Sequence, residues 1–532
     1  MIFRSRYPDV VIPPHSLLED VFGQVAGHLD RPAVIDGPSG RTYTYRQLLG
    51  LIGRVGAALA ARGFARGSTV CIYSPNVPEY PAWFFGAARI GAINTTANPL
   101  YTAAELAKQL VDSGATLIFT VPQLAERAVA AAATVGAEVI TLGEAPGCVS
   151  FAEFMKTGGV AAEGLDVITP TVPINSAVDI VALPYSSGTT GLPKGVMLTH
   201  RNIVANLAQC DFIDPSVPGD HTVGFLPFFH IYGMTVILCM ILKRGATVVT
   251  MPQFDLETYL RLNQDYKCRT AYLVPPVALA LAKHPMVDNF KLSLEMINSG
   301  AAPLGAELEE AVEKRIGALT KQGYGMTEAS PVTHFIPTER SLVRHGSCGL
   351  IIPNCEVRVV DLKSKEDLGA GASGELLIRG PNIMRGYLGN PAATAEAIDA
   401  DGWLHTGDVG YADADGYFFI VDRLKEFIKY KAYQVAPAEL EAVLLTHPAI
   451  ADAAVIPKAD EECGEIPKAF VVKRSEITAE EIMAYVAERV APYKKIRVVE
   501  FIEKVPKSAS GKILRRELIV AERAKATAPV GS

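Results

Sequence analysis

The sequence has no long apolar run, no paired-cysteine motif and no excess of positive charge. No stretch approaches the ~18 apolar residues that a membrane-spanning helix requires, and Gly233–Leu242 comes nearest. The eight cysteines are scattered and none forms a Cys-x-x-Cys pair, which argues against a zinc site or a disulfide framework. The net charge of −7 argues against a nucleic-acid-binding protein, which would normally present a basic face. Residues 1–18 lack the apolar core of a secretory signal, so we expect a cytoplasmic protein.

The chain does contain enough apolar sequence for several cores. Of its 532 residues, 49% are hydrophobic and 20% are charged, as in globular rather than disordered proteins. Domains usually contain ~100–200 residues, so two to four folding units are expected. From Arg41 to about Ile180, short apolar strands such as 69–73 alternate with helical patterns. This alternation predicts parallel sheets covered by helices on both faces.

The pattern changes twice along the chain, and the changes suggest domain boundaries. After about Ser347 the sequence turns to short β-rich pieces, and after Asp422 it becomes a small module of helices and strands. We therefore predict an α/β protein with a large N-terminal domain, residues 1–422, of parallel αβα sheets plus a β-rich subdomain at about 347–422. Residues 423–532 are predicted to form a small α+β C-terminal domain that moves as a body.

The most informative segment is rich in glycine and hydroxyl groups, Tyr185-Ser-Ser-Gly-Thr-Thr-Gly-Leu-Pro-Lys-Gly195. Its glycines free the backbone to curl, its hydroxyls and N–H groups can donate to phosphate oxygens, and Lys194 adds a positive charge. A polar surface turn is the plain alternative, but turns seldom concentrate all three features. A Walker A loop requires a lysine followed by Ser or Thr, whereas Lys194 is followed by Gly195. The segment predicts a phosphate-binding loop of another kind.

Four further motifs follow in order. They are Gln322-Gly-Tyr-Gly-Met-Thr-Glu328, Trp403-Leu-His-Thr-Gly-Asp408, Val421-Asp-Arg-Leu-Lys-Glu426 and Pro506-Lys-Ser-Ala-Ser-Gly-Lys512. With the phosphate loop they resemble the motifs of adenylate-forming enzymes: acyl- and aryl-CoA synthetases, luciferases and peptide-synthetase adenylation domains. The resemblance covers essentially the whole chain. The segments 228–232, 299–303 and 429–439 are most similar to 4-coumarate–CoA ligases.

The resemblance implies a two-step reaction. A carboxylate attacks the α-phosphorus of Mg-ATP to give an acyl-adenylate and pyrophosphate, and the thiolate of coenzyme A then displaces AMP. ATP, Mg²⁺ and coenzyme A are the implied cofactors, and 4-coumarate or a related cinnamate is the implied substrate. A medium-chain fatty-acyl-CoA synthetase is the main alternative, followed by a luciferase-like monooxygenase, a peptide-synthetase adenylation domain and an inactive nucleotide-binding regulator. We expect a monomer or homodimer that has no membrane span and no nucleic-acid partner.

The resemblance also assigns the nucleotide site. The residues implied to hold the β- and γ-phosphates are Ser186, Ser187, Gly188, Thr189, Thr190 and Lys194. Those implied around the adenine, ribose and α-phosphate are Gly300, Ala301, Gln322, Gly323, Tyr324, Gly325, Thr327, Asp408 and Arg423. Glu328 is implied to bind Mg²⁺, a hard cation that prefers oxygen ligands. Alone, Asp408 could be a turn residue of Thr-Gly-Asp, but its place among the other motifs favours a bond to the ribose.

Lys512 is the implied catalytic residue of the first step. A lysine in a polar loop is more often a solvated surface charge, but under the resemblance it bridges the carboxylate and the α-phosphate and offsets the repulsion between two anions. Lys425 is the implied hinge that withdraws it for the second step. The residues implied to face the adenylate in the first step are Lys429 and Gln434, and those implied to face coenzyme A in the second are Lys431 and Ala432.

Ala432 departs from the family pattern, which usually has glycine at this position. A methyl group there could crowd the channel for the thiol arm of coenzyme A. We expect a modestly raised KM for coenzyme A, which Ala432→Gly should lower.

The implied acyl pocket is lined by Phe229, His230, Tyr232, Gly233, Val236, Asn298, Ala301, Gly325, Ser330, Pro331, Val332 and His334. Several of these are small and leave room for a flat ring. Val236 is apolar where plant coumarate ligases often have a hydroxyl, which favours tolerance of cinnamate, while Asn298 keeps a polar contact available. A lone histidine between Phe229 and Ile231 is more often a core residue, but in the family His230 would line the pocket and position the substrate. Apolar pockets discriminate by only ~10–200-fold, so we expect broad selectivity.

Overall fold

The computed structural model describes residues 1–159, 162–186, 193–213, 215–431, 433–460, 462–509 and 511–527. Within these ranges no helix is long and apolar enough to cross a membrane. The apolar segment Gly233–Leu242 instead forms most of a π-helix, Tyr232–Cys239, and of the short helix that continues it, and its side chains are buried in the protein.

The strands of the described residues follow one another in short, mostly β-branched and aromatic segments, as strand propensities favour. In chain order they are β1 Ile2–Arg4, β2 Pro32–Asp36, β3 Thr42–Thr44, β4 Thr69–Tyr73, β5 Ile93–Ala97, β6 Leu117–Thr120, β7 Glu138–Thr141, β8 Val149–Ser150, β9 Ile180–Ser186, β10 Lys194–Thr199, β11 His221–Gly224, β12 Thr247–Thr250, β13 Thr270–Leu273, β14 Met296–Ser299, β15 Leu319–Gly325, β16 Val332–Phe335, β17 Leu350–Ile351, β18 Glu356–Val360, β19 Gly374–Arg379, β20 Gly386–Tyr387, β21 Leu404–Ala412, β22 Phe418–Arg423, β23 Ile428–Tyr430, β24 Tyr433–Val435, β25 Ile450–Asp460, β26 Gly464–Lys473 and β27 Val498–Phe501.

The α-helices begin repeatedly at a Ser, Thr, Asp or Asn whose side chain accepts a bond from the first turn, as Thr102 does for Glu105 N. In chain order they are α1 Leu17–Phe22, α2 Tyr45–Ala61, α3 Tyr80–Arg89, α4 Ala103–Ser113, α5 Ala125–Ala132, α6 Phe151–Lys156, α7 His200–Cys210, α8 Met240–Lys243, α9 Leu256–Asp265, α10 Pro275–Lys283, α11 Ala306–Ile316, α12 Pro391–Ala397, α13 Pro437–Thr446, α14 Ala479–Ala487 and α15 Arg515–Thr527.

Three sheets with parallel strands make up the first part of the molecule. The largest has the order β20-β10-β9-β5-β4-β6-β7-β8, and the others β11-β12-β2-β3 and β13-β14-β15-β16-β17. As predicted, β4, β5, β6, β7 and β9 run parallel with helices between them. One edge of the largest sheet differs from the predicted parallel arrangement, because β10 pairs antiparallel with both β9 and β20. The large core is exemplified by Trp83, whose ring stacks on Phe119 with centroids 5.3 Å apart.

The later part of the chain forms two smaller sheets. One is antiparallel, with the order β1-β18-β19-β21-β22, and ends at Arg423. The other has the order β24-β23-β26-β25, with β27 parallel to β26. Residues from Ile428 onward pack around an apolar cluster of their own that includes Leu440, Val471 and Ile482. Residues expected at the nucleotide site lie at or just after the carboxyl ends of β9, β14, β15 and β22, and Asp408 lies in the middle of β21. The carboxyl ends of strands are where α/β sheets bind ligands.

Candidate active site

The expected phosphate loop connects two paired strands. Ser186, the last residue of β9, is the ladder partner of Lys194, the first residue of β10. The residues between them that we expected to hold phosphate, Ser187, Gly188, Thr189 and Thr190, lie outside the described residues. The strands therefore place the two ends of the loop side by side, with one hydroxyl and one ammonium group at its base.

A buried carboxylate lies against this base. Ser186 Oγ donates to Glu328 Oε1 at 2.6 Å, and the hydroxyl of Tyr387 donates to the same oxygen at 3.0 Å. The Tyr387 ring also lies 4.7 Å from Lys194 Nζ. No group of three or more His, Cys, Asp or Glu side chains within the described ranges could hold a metal ion. A single carboxylate still fits Mg²⁺, which is usually bound by one or two carboxylates together with substrate phosphates and water.

The turn after β15 presents Thr327 beside this carboxylate. Thr327 begins a 3₁₀ turn that ends at Ala329, and Ser330 follows in the left-handed region at φ 71°. Ser330 Oγ donates to the carbonyl of Asn382 at 2.8 Å, and Met384 N donates to the carbonyl of Glu328 at the same distance. The turn that carries Thr327 and Glu328 is thus tied to residues 382–384.

The expected adenine wall lies at the ends of two paired strands, β14 and β15. A Cβ on Gly325 would lie 2.2 Å from the Pro331 carbonyl oxygen, so only glycine permits this approach. A Cβ on Gly300 would lie 3.0 Å from the ring of Tyr232. Ala301 follows Gly300 at φ 69° and is exposed. These two glycines let the end of β14 lie against Tyr232 and the end of β15 against Pro331.

Gln322 and Gly323 on β15 each pack against another part of the protein. The amide of Gln322 is directed into the protein, where its oxygen accepts from Leu304 N at 3.0 Å and its nitrogen donates to Leu304 O at 2.8 Å. A Cβ on Gly323 would lie 2.9 Å from the ring of Phe335. The side chain of Gln322 therefore links β15 to the backbone at Leu304, a structural role that the motif alone did not indicate.

The expected ribose site is a carboxylate held between a phenol and a guanidinium. Asp408 on β21 lies opposite Arg423 on β22, and Arg423 Nε is 3.3 Å from Asp408 Oδ1. The hydroxyl of Tyr324 donates to Asp408 Oδ2 at 2.6 Å. Burial raises the pKa of the Asp408 carboxyl, and the charge of Arg423 and the Tyr324 hydrogen bond act against that rise. Asp408 can accept hydrogen bonds from a diol, and Tyr324 brings an aromatic ring beside it.

Lys512 lies in a tight loop that is packed on the large domain. Ser508 N donates to the carbonyl of Lys512 at 2.8 Å, and Lys512 N donates to Ser508 Oγ at 3.1 Å. Gly511 has φ 79°, and a Cβ there would lie 2.9 Å from Val274 Cγ2, immediately before α10. The loop therefore depends on the conformational freedom of Gly511 to sit this close to α10.

The surroundings of Lys512 lower the pKa of its ammonium group. Burial and the guanidinium of Arg423 lower the pKa of Lys512 to about 8, while Glu426 and Asp408 act in the opposite direction. Burial, and to a smaller extent the charge of Lys512, lower the pKa of His230 to about 4. His230 is therefore neutral at pH 7, and its Nδ1 accepts from Tyr232 N at 3.3 Å. The structure brings together a lysine ammonium, a neutral imidazole and the Asp408–Arg423 pair.

The expected acyl pocket begins at the π-helix. A Cβ on Gly233 would lie 2.2 Å from the Pro227 carbonyl oxygen, and Val236 lies one turn further along, buried. The hydroxyl of Tyr232 donates to the carbonyl of Asn298 at 3.2 Å, while Asn298 Oδ1 has no hydrogen-bond partner among the described residues. π-Helical segments are frequent at functional sites, because the wider turn displaces side chains from their usual positions.

The remaining pocket residues lie on neighbouring segments. The Phe229 carbonyl accepts from Thr96 Oγ1 at 2.8 Å, and Val332, after Pro331, opens β16. His334 on the same strand is fully buried, with its ring 4.5 Å from the ring of Phe418 and 5.6 Å from that of Tyr324. His334 thus packs between the adenine wall and the β-rich sheet.

The residues expected to alternate between the two steps lie in and after the hinge segment. Lys425 is exposed just after β22, and Lys429 and Gln434 are exposed ladder partners on β23 and β24. Lys431 has φ 52° at the exposed tip of this hairpin, and Ala432 lies outside the described residues.

Sequence reasoning missed three side chains of this region, and no motif could have identified them. Tyr387 bonds Glu328, and Glu309 bonds Gln322 at 2.8 Å. Arg515, three residues after Lys512, donates to Glu426 at 2.7 Å and to Glu441 at 2.6 Å. Arg515 thereby ties the helix that follows the Lys512 loop to the hinge segment.

Fold and site together define an α/β enzyme that has a large N-terminal domain and a smaller C-terminal one. The chain belongs to the AMP-binding enzyme family, whose profile matches residues 21–388, and residues 439–512 match the AMP-binding enzyme C-terminal domain. It is 46% identical to 4-coumarate–CoA ligase 5 of Oryza sativa subsp. japonica, covering 97% of this chain and 96% of the relative. It is also 46% identical to the 4-coumarate–CoA ligase of Pinus taeda, with 97% of each chain covered.

Solved structures share this fold over nearly the whole chain. The anthranilate CoA ligase AuaEII in complex with anthranoyl-AMP superposes with a TM-score of 0.86 at 26% identity, covering 97% of this chain and 98% of the other. ATP-bound MatB from Rhodopseudomonas palustris superposes with a TM-score of 0.85 at 26% identity, covering 96% and 99%. The predicted resemblance to adenylate-forming enzymes and the predicted α/β fold class are confirmed.

Proposed function

We propose that the protein is an ATP-dependent acid–thiol ligase that converts 4-coumarate and related cinnamates to their CoA thioesters through an acyl-adenylate. AMP and pyrophosphate are the other products. The observation that carries this proposal is that Lys512 of the small domain lies within electrostatic range of Asp408, Arg423 and His230, residues that we expect at the nucleotide and acyl sites. The high identity to proteins named 4-coumarate–CoA ligases supports the choice of acid.

The first step joins two anions, and the site supplies positive charge where they meet. Lys512 would contact both the substrate carboxylate and the α-phosphate, so that the negative charge of the transition state is stabilised by a cation already in place. Glu328 would hold the Mg²⁺ that neutralises the phosphates, and Thr327 beside it would donate to the α-phosphate. Asp408 would accept from the ribose hydroxyls and so fix the nucleotide for in-line attack.

The remaining nucleotide contacts follow from the same arrangement. Ser186 and Lys194 at the base of the phosphate loop would hold the β- and γ-phosphates, and Tyr324 would stack on the adenine beside Gly300 and Ala301. Arg423, paired with Asp408, would assist at the ribose.

The second step requires Lys512 to leave and coenzyme A to enter. The domain that carries Lys512 would turn at the exposed Lys425, whose backbone torsions absorb the rotation. The rotation would withdraw Lys429 and Gln434 from the adenylate and turn Lys431 and Ala432 toward coenzyme A. His230 is neutral at pH 7, and we propose that it lines the acyl pocket and positions the substrate.

The composition of the acyl pocket favours a ring that carries one polar group. Val236 is buried and apolar, and the backbone around Gly233 leaves no room for a side chain there. Asn298 Oδ1 is buried without a partner among the described residues, so an acceptor is available for the 4-hydroxyl of coumarate. A fatty acid would leave this oxygen without a partner, which disfavours a medium-chain substrate.

The test is a competition for thioester formation with Mg-ATP, coenzyme A and equal concentrations of 4-coumarate, cinnamate and octanoate. We expect 4-coumaroyl-CoA to form fastest and cinnamoyl-CoA next. Asn298→Leu should reduce the preference for 4-coumarate over cinnamate about tenfold, because the lost hydrogen bond is worth about 1.4 kcal/mol. A preference for octanoate would contradict the proposed substrate while leaving the ligase chemistry intact.

We also propose that the protein acts in the cytoplasm on a small carboxylic acid. Cys71 and Cys239 are buried as free thiols in the structure, and free thiols persist in reducing compartments.

A further inference from the structure

A buried carboxyl group lies behind the adenine wall, outside the site just described. Glu309 on α11 is fully buried, and both of its oxygens are engaged. Oε1 accepts from Gln322 Nε2 at 2.8 Å, and Oε2 accepts from Gly346 N at 2.9 Å, with His345 Nδ1 3.0 Å away. Withdrawing a carboxyl group from water is unfavourable unless such bonds replace its hydration, so these contacts mark an organised cluster.

Gln322 connects this cluster to the nucleotide site. Its amide grips Leu304 through both the backbone N–H and the carbonyl, at 3.0 and 2.8 Å. Leu304 ends the segment that begins at Gly300, and Gln322 is next but one to Tyr324 on β15. One amide therefore fixes the distance between the two halves of the adenine wall, and Glu309 fixes the orientation of that amide.

We propose that Glu309 is a positioning residue of the nucleotide site, which holds the segment 300–304 and β15 at a fixed spacing through the side chain of Gln322. The inference rests on the proposed function, since it takes this segment and Tyr324 to contact the adenine of ATP.

The donors around position 309 require a carboxyl group. The N–H groups of Gln322 and Gly346 each point at a different oxygen of Glu309, so a glutamine there would turn its own NH₂ against one of them. Turning over the amide of Gln322 would only move the conflict to Leu304, whose N–H and carbonyl match the present orientation. A buried clash between two donors is expensive because neither group can turn to water.

The charges facing Glu309 are consistent with this arrangement. Burial is the main reason why the pKa of Glu309 is raised to about 8; the bonds from Gly346 and Gln322 act against the rise, and Glu313 and Glu310 on the same helix add to it. From the segment opposite, His345 faces Oε2. When Oε2 of Glu309 is protonated, its O–H can donate a hydrogen bond to His345 Nδ1. When Glu309 is ionised, Nδ1–H of His345 can donate a hydrogen bond to Oε2, so the hydrogen bond is kept in both states.

The experiment compares Glu309→Gln with Glu310→Gln, an exposed neighbour on the same helix. Binding of Mg-ATP is measured by titration calorimetry, and KM is measured separately for ATP and for 4-coumarate. We expect Glu309→Gln to raise the Kd and the KM for ATP about tenfold and to leave the KM for 4-coumarate unchanged. Glu310→Gln should match the wild type in all three.

A second variant tests the route through Gln322. Gln322→Met, of similar size but without hydrogen bonds, should show the same loss that is selective for ATP. The double variant should bind ATP no more weakly than the weaker single variant, because both changes break one link. If Glu309→Gln does not fold, Gln322→Met alone decides the question.

A lower melting temperature with an unchanged Kd for ATP, or equal rises in both KM values, would show a merely structural role and overturn the inference. If the wild type forms no CoA thioester, the proposed function fails. The calorimetric comparison still decides whether Glu309 positions the nucleotide site.

Discussion

Lys512 gives the sharpest prediction, because its surroundings place its titration within an accessible pH range. Burial and Arg423 lower the pKa of Lys512 to about 8. The first step requires the ammonium form, so its rate should be highest below this pH and should fall as the pH rises through it. With a pKa of about 8, the protonated fraction of Lys512 is about ten times larger at pH 7 than at pH 9, so kcat/KM should fall about tenfold between the two.

The choice of kinetic parameter matters. The pH dependence of kcat/KM reports the free enzyme, to which the pKa of about 8 belongs. Bound Mg-ATP adds negative charge beside Lys512 and favours the ammonium form, so the corresponding fall in kcat should lie at higher pH.

The assay is pyrophosphate release with 4-coumarate and Mg-ATP over a range of about pH 6.5 to 9.5. The matched variant is Lys512→Arg, since arginine stays protonated throughout this range. Its rate should be lower, because the guanidinium is larger and branched, but its kcat/KM should not fall near pH 8. The reasoning would be refuted if the wild-type profile were flat to pH 9.5, or if the arginine variant lost activity at the same pH.

Three further changes test other parts of the site. Gly325→Ala should abolish activity and lower the melting temperature, because its Cβ would lie 2.2 Å from the Pro331 oxygen, and normal turnover would contradict the close approach. Asp408→Asn should raise the KM for ATP about 10–100-fold through loss of a charged acceptor, and an unchanged KM would remove Asp408 from the ribose site. Lys283 Nζ donates to the Leu445 carbonyl at 2.8 Å and so joins α10 to α13. Lys283→Met should therefore slow adenylation several-fold but not thioester formation from preformed adenylate. Equal slowing of both steps would contradict this role of Lys283.

Much of the fold could be predicted because local pattern and burial agree. The strand at Thr69–Tyr73 and the helix at Pro437–Thr446 begin and end where their apolar periodicity and flanking residues indicate. The antiparallel pairing of β9 and β10 could not be predicted, since a buried strand looks the same in either direction. The π-helix at Tyr232–Cys239 was equally hidden, because an apolar segment does not specify the pitch of its helix.

The residues of the candidate site, like the fold, could be predicted only in part. Motifs reveal residues whose chemistry is unusual for their setting, such as the lysine of the polar loop 506–512. They do not reveal partners that are far apart in sequence, such as Ser186 and Glu328, which are 142 residues apart yet 2.6 Å from each other. Glu309 was invisible for another reason: in Glu-Leu-Glu-Glu on a helix it resembles its exposed neighbours, and only packing shows that it is buried.

The central claim is that the site makes an acyl-adenylate, and isotope transfer tests this most directly. The protein would be incubated with Mg-ATP, coenzyme A and 4-coumarate labelled with oxygen-18 in its carboxyl group. Attack of the carboxylate on the α-phosphorus predicts that one labelled oxygen appears in AMP and none in the released pyrophosphate. Label in inorganic phosphate, together with ADP, would place the attack at the γ-phosphorus and contradict the account.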